Sequence, residues 1–182
     1  MFSEMRKVLL VLAAAVCCIL LLLLSVGVFH IYRNPTGSME PTIPVGARFV
    51  TIRATKVNRG DIVAFEYPLE PRVLFGKRVV AIGGDLVEIR AKRLFVNGDE
   101  VSEPYAVHAD SVIYPNQKLL PEPYRSRDWF GPSRVPAGAF FVLGDNRDRS
   151  SDSRYWGPVP RQNLRGRVVL VFSWSRGFWK PS

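Results

Sequence analysis

The chain is nearly without cysteine and histidine. Its only cysteines, Cys17 and Cys18, are neighbours inside an apolar run, so they neither staple a domain nor offer the spaced ligands of a zinc site. The histidines are His30, at the end of that run, and His108. No glycosylation acceptor exists, because Asn34-Pro35-Thr36 is blocked by its proline. A net charge of +9 invites a nucleic-acid reading, yet the basic residues never form a run of five and are interleaved with acids. Attraction of a tethered basic domain to anionic lipid is the simpler account, with no nucleic-acid partner. Lysine is scarce too, with six against 19 arginines.

Charge disappears between Lys7 and Arg33, and residues 8–29 are almost wholly apolar. A bilayer core takes about 20 such residues as helix. A cleaved leader is the competing reading, with Arg6-Lys7 as its charged start and Ser25-Val26-Gly27 as its exit. Secretory cores usually run about 7–15 residues, so the longer run favours a retained single-pass anchor within residues 1–33. The positive-inside rule points to a cytoplasmic N-terminus, with the remaining domain outside.

Beyond the apolar run the helical period does not return. Residues 48–53, 61–67, 74–82, 85–90, 139–143 and 167–174 read as short strands bounded by Gly or Pro. Asn97-Gly98 between residues 93–96 and 99–101 reads as a hairpin turn. Many short strands separated by 14 Gly and 14 Pro argue for an antiparallel, mostly β domain, sheet or barrel-like. Residues 103–136 are rich in Pro and Tyr with little periodicity and read as a loop-rich excursion. No repeat or low-complexity tract is present.

Three stretches carry candidate chemistry. Ser38 sits in Asn-Pro-Thr-Gly-Ser-Met-Glu-Pro-Thr, directly after the apolar run. A serine in such a turn commonly just satisfies its own backbone; a nucleophile needs a base in reach. His108 beside Asp110 would complete a triad, while the Gly-x-Ser-x-Gly elbow is absent. The other base available is a lysine kept neutral by burial, a role arginine cannot fill. Lys77 alone lies inside an apolar strand, Val-Leu-Phe-Gly-Lys-Arg-Val-Val-Ala-Ile. It reads equally as a strand residue facing solvent, with Arg78 on the opposite face. The third stretch, residues 144–160, packs Asp, Arg and Ser against Tyr155-Trp156. It fails as an EF-hand, since a loop starting at Asp148 has Ser153 sixth and Val159 twelfth.

Taken together these stretches resemble bacterial type I signal peptidase, a membrane-bound serine protease with a Ser/Lys dyad. The nucleophile box appears as Thr36-Gly37-Ser38-Met39-Glu40-Pro41-Thr42, and a Gly-Asp-Ile-Val-x-Phe strand as residues 60–65. Lys77-Arg78 is followed by Gly84-Asp85, and the Gly-Asp-Asn-Arg-Asp box covers residues 144–154. The resemblance implies Ser38 as nucleophile, Lys77 as general base, Ser150 as the hydroxyl orienting the lysine amine, and Thr36 as oxyanion donor. It implies substrate contact at Met39 and Ile43, and a supporting polar network of Arg78, Asp145, Arg147, Asp152 and Arg154. No cofactor or metal is implied. The expected organisation is a catalytic β core over residues 34–90 and 137–178 with an inserted β subdomain over 91–136. Gly76, Ile82-Gly83 and Arg149 depart from the common family residues. The expected function is removal of signal peptides from secreted preproteins at the inner membrane, beside the secretion machinery. Rival readings are a relative that matures pilin or conjugation proteins, and a silent membrane-anchored β-module with a basic binding surface.

Overall fold

A computed structural model describes residues 2–25, 27–117 and 124–181. Helix α1 (Phe2–Ser25) takes up the N-terminal apolar run. Among the described residues no helix is long and apolar enough to cross a membrane, so the single transmembrane helix expected within residues 1–33 is not supported. Gly27, at φ 70, breaks the helical path. By Phe29 the chain is already in strand β1 (Phe29–Arg33), and this strand pairs residue for residue with β2 (Arg48–Ile52). Val26 and Lys118 lie outside the described residues, as does the middle of the 103–136 stretch.

The remaining strands are β3 (Ile62–Tyr67), β4 (Glu70–Ile82), β5 (Leu86–Arg90), β6 (Arg93–Val96), β7 (Asp99–Glu100), β8 (Phe130–Arg134), β9 (Ala139–Leu143), β10 (Val159–Pro160), β11 (Leu164–Ser173) and β12 (Gly177–Trp179). Two short helices, α2 (Tyr124–Arg127) and α3 (Ser153–Trp156), interrupt them. The larger sheet runs β1-β2-β11-β3-β4-β9-β10, with β12 added to β11. All its described pairings are antiparallel, and the order is an open path ending at β1 and β10.

A four-stranded sheet, β7-β6-β5-β8, forms a second layer. It takes in Leu86–Arg90, which the sequence grouped with the larger core. The cause is apolar burial: Val87 and Ile89 of β5 cluster with Leu94, Val96 and Val135. The β6–β7 turn is the expected Asn97-Gly98 pair, both residues at positive φ (58 and 94).

β4 and β9 are apolar without alternation at their ends because both faces are covered. Val79, Phe140 and Val142 pack with Val63, Phe65 and Val159, while Val80, Ala81, Phe141 and Leu143 pack under the small sheet. These two strands tie the layers together, and they lead directly into Lys77 and Gly144.

Candidate active site

Three segments converge on Ser38. The first is the loop after β1, anchored by Asn34. Its N–H donates to the Ala47 carbonyl, and its Nδ2 donates to the carbonyls of Ile43 (2.7 Å) and Pro44 (3.1 Å). Held at its base, the loop forms one tight 3-10 turn, Gly37–Met39, with Ser38 at its centre.

The second segment is β4. Strand alternation sends Lys77 and Arg78 to opposite faces, and neither reaches solvent: they are 4% and 1% exposed. The solvent-facing reading of Lys77 is therefore corrected. Lys77 Nζ lies 2.5 Å from Ser38 Oγ and 5.5 Å from the centroid of the Phe75 ring. Burial lowers its pKa from 10.5 to about 8, against a smaller upward pull from Asp152. Thr36 Oγ1 lies 3.1 Å from the same Ser38 Oγ.

The third segment is the loop from Gly144 to α3, which holds the other two in register through buried ion pairs. Arg78 donates from Nε and Nη2 to the two oxygens of Asp145 (2.8 and 2.7 Å) and stacks on Tyr105. Asp145 also accepts from Thr42 Oγ1 at 2.6 Å. Asp152 accepts from Arg154 (2.8 and 2.9 Å) and from the Gly144 N–H. Burial alone would raise the Asp152 carboxyl, but Arg154 beside it holds it below the usual carboxylate range. Arg147 donates to the Gly144 carbonyl and forks onto Glu103, both at 2.6 Å. Asn146 makes the direct link: its backbone N–H donates to Ser38 O and its Nδ2 to Gly37 O, both 3.1 Å.

Several expected contacts are absent. Met39 and Ile43 do not line a substrate surface; each is 1% exposed in an apolar cluster with Ala47, Phe49, Ile62 and Val171. Ser150 is buried near Gly144, but among the described residues its hydroxyl has no hydrogen-bond partner and does not engage Lys77. His108 sits 3.8 Å from Asp148, and its pKa is lowered mainly by burial; it does not line the cleft at Ser38. Asn34, Thr42, Glu103 and Asn146 were not singled out from sequence. Asn146 and Thr42 lie inside the motifs around Asp145 and Ser38, whereas nothing in the sequence marks Glu103.

A cleft of about 480 Å³ opens over the Ser38–Lys77 contact, lined by Tyr32, Phe49, Ala64, Leu74, Phe75 and Gly76 among others. An alcohol, a buried amine of lowered pKa and an apolar cleft are the parts needed for acyl transfer. The signal peptidase, peptidase S26, family model matches residues 6–174. The chain belongs to that family. A signal peptidase I of Pseudomonas aeruginosa is 36% identical over 184 aligned positions, covering 79% of this chain and 64% of the relative. Signal peptidase I V of Bacillus subtilis is 35% identical over 145 positions, covering 78% and 84%. A signal peptidase I crystal structure from Enterococcus faecalis matches with a TM-score of 0.48 at 32% identity, covering 63% of this chain and 98% of that one. The chain thus spans less than two thirds of the length of the Pseudomonas relative. Within the family's matched range lie all three segments that build the Ser38 cleft.

Proposed function

We propose that this chain is a serine endopeptidase that removes signal peptides from preproteins, with Ser38 as nucleophile and Lys77 as general base. The observation that carries the reading is the 2.5 Å approach of an amine with lowered pKa to a serine hydroxyl. Neutral Nζ takes the Ser38 proton as Oγ attacks the scissile carbonyl. The ammonium then returns that proton to the departing amine, leaving an ester on Ser38. A water deprotonated by Lys77 attacks the ester, and the signal peptide leaves with a free carboxylate while Ser38 recovers its proton. The oxyanion is assigned to the Ser38 N–H and the Thr36 hydroxyl, which is near enough to Oγ to swing towards it. Removing one such donor typically lowers the rate by about 10²–10³.

Substrate docking follows from the sheet. β9 pairs only with Arg78–Ile82 of β4, so among the described residues the β4 edge over residues 73–77 carries no further strand. An extended preprotein segment adds to this edge and runs towards Ser38. Ala64, opposite Gly76 in the β3–β4 ladder, keeps the cleft floor low, which favours small side chains at the cut.

Membrane lipid is the second partner, and the domain lies on the extracytoplasmic side beside the secretion machinery. Supporting this, Val8, Leu9, Leu10, Val11, Leu12 and Val16 of α1 are 56–71% exposed and need an apolar medium to cover them. Nucleic acid is no part of the proposal. Cleavage of a preprotein with Ala-x-Ala before the cut tests the dyad: Ser38→Ala, Lys77→Ala and Lys77→Arg should each abolish it. Full activity in any of the three overturns the assignment.

A further inference from the structure

A second cleft, of about 650 Å³, opens where the chain passes from α1 into the larger sheet. Its lining includes Gly27, His30, Arg53, Arg161 and Arg165, and no carboxylate. Arg165 is paired with Glu66. Arg53 and Arg161 have no side-chain partner among the described residues, although their backbone N–H groups are bonded to Val28 O and Gly138 O. Two exposed guanidiniums, each on backbone tied by one hydrogen bond and facing one cavity lined by no acid, leave a concentrated positive charge that the protein does not use for its own stability. Asp61 is the next acid along β3's approach, and it pairs with Arg167 at 3.5 Å instead.

We propose that this cleft binds the phosphate of an anionic phospholipid headgroup. Guanidinium forks match phosphate oxygens bidentately, which a lysine ammonium does not. A membrane source fits better than a free ion because of where the cleft sits. Gly27 in its wall lies two residues beyond the end of α1, and α1 exposes an apolar surface. Val28 and Ile31, at the same junction, are 36% and 58% exposed. A lipid whose chains cover these residues presents its headgroup at the level of Arg53 and Arg161. The effect would be to fix the tilt of the β domain, and hence the height of Ser38, relative to the lipid surface. This step rests on the membrane placement proposed above but not on the peptidase chemistry.

The test uses the full chain in nanodiscs of phosphatidylcholine alone or with phosphatidylglycerol, read by hydrogen exchange of the segments around Arg53 and Arg161–Arg165. Phosphatidylglycerol should protect both segments and be enriched in lipid that remains with the protein on delipidation. Arg53→Glu/Arg161→Glu should erase the enrichment, with at least a fivefold loss per arginine (about that much attraction per basic residue at an anionic surface). Arg53→Gln/Arg161→Gln, with an unchanged melting temperature, guards against misfolding. Equal protection by inorganic phosphate in phosphatidylcholine discs would reassign the site to a free ion. No phosphatidylglycerol-dependent protection would remove it. Peptide cleavage in detergent should be untouched by either double variant, so loss of cleavage in the wild type would sink the peptidase reading and leave this one standing.

Discussion

Lys77 Nζ stands 2.5 Å from Ser38 Oγ, in a pocket where neither residue exceeds 6% exposure. The contact can serve catalysis only when the amine is uncharged, because an ammonium has no lone pair to accept a proton. With the pKa lowered to about 8, the active form is a minority at neutral pH. Cleavage measured as kcat/KM should therefore rise about tenfold per pH unit below pH 8 and level off above it. Replacing the amine with Lys77→Met should cost about 10²–10⁴ in rate, the usual worth of a positioned general base, and should remove the pH dependence of what remains. A profile that is flat from pH 5 to 9 in the wild type would exclude Lys77 as the base.

The same depressed pKa makes Lys77 a stability liability. In the unfolded chain the amine titrates near its ordinary 10.5, whereas in the folded protein it titrates near 8. Between those values the unfolded state holds a proton that the folded state does not, so stability from this group rises with pH across that window. Below pH 8 the penalty is fully present, on the order of 3 kcal/mol at 1.36 kcal/mol per pH unit. Lys77→Met should accordingly be more stable than wild type at pH 7, by roughly 5–10 °C in Tm for a chain of this size. The advantage should shrink between pH 8 and 10.5 and vanish above. Thermal melts of both proteins at pH 7, 9 and 11 decide it; a variant that is less stable at pH 7 contradicts the burial argument.

What the sequence discloses here depends on whether a residue's role is local. The alternating run at residues 48–53 became β2 because one face meets the core, the continuous apolar run Ile62–Phe65 became β3 because both of its faces are covered, and Asn97-Gly98 became the β6–β7 turn because its backbone demands are intrinsic. β1 was hidden, since Phe29–Arg33 extends an apolar run and only its pairing with β2 makes it a strand. Ser38 and Lys77, 39 residues apart, are each unremarkable alone and were joined only by the ordered motifs around them. Met39 and Ile43 went the other way: lying in or just after the motif around Ser38 says nothing about the side of the turn they face, and they face the core. Glu103, in the irregular stretch, gains its role from Arg147, 44 residues on. No local pattern could have signalled that fork.

Gly144 is required for space. A Cβ at this position would sit 2.5 Å from the Ser38 carbonyl oxygen and from the Ser150 Cβ, which no packed structure tolerates. Gly144→Ala should push the nucleophile turn away from the lysine, destabilising the domain by about 1–3 kcal/mol through overpacking. It should also lower kcat more than it raises KM, because the displaced group is the proposed nucleophile and the proposed substrate edge on β4 is untouched. Unchanged Tm and kcat would mean that the loop from Gly144 to α3 is free to shift, and that the close approach has no bearing on the site.

Arg78 and Asp145 form the buried hinge pin between β4 and that loop, with side chains 2% and 0% exposed. Asp145→Ala would strand the Arg78 guanidinium in the interior and leave the Thr42 hydroxyl without its acceptor. Removing one partner of such a pair typically destabilises by about 3–5 kcal/mol, whereas replacing both with apolar residues is far less harmful. Arg78→Met/Asp145→Leu should thus be markedly more stable than the sum of its single variants predicts, a coupling that a double-mutant cycle in urea reads directly. Activity need not follow stability. Asn146 adjoins Asp145 and holds the carbonyls of Gly37 and Ser38, so a double variant that folds but loses the charged lock should keep its Tm while kcat falls. Additive single effects in the cycle would show that the two side chains act separately.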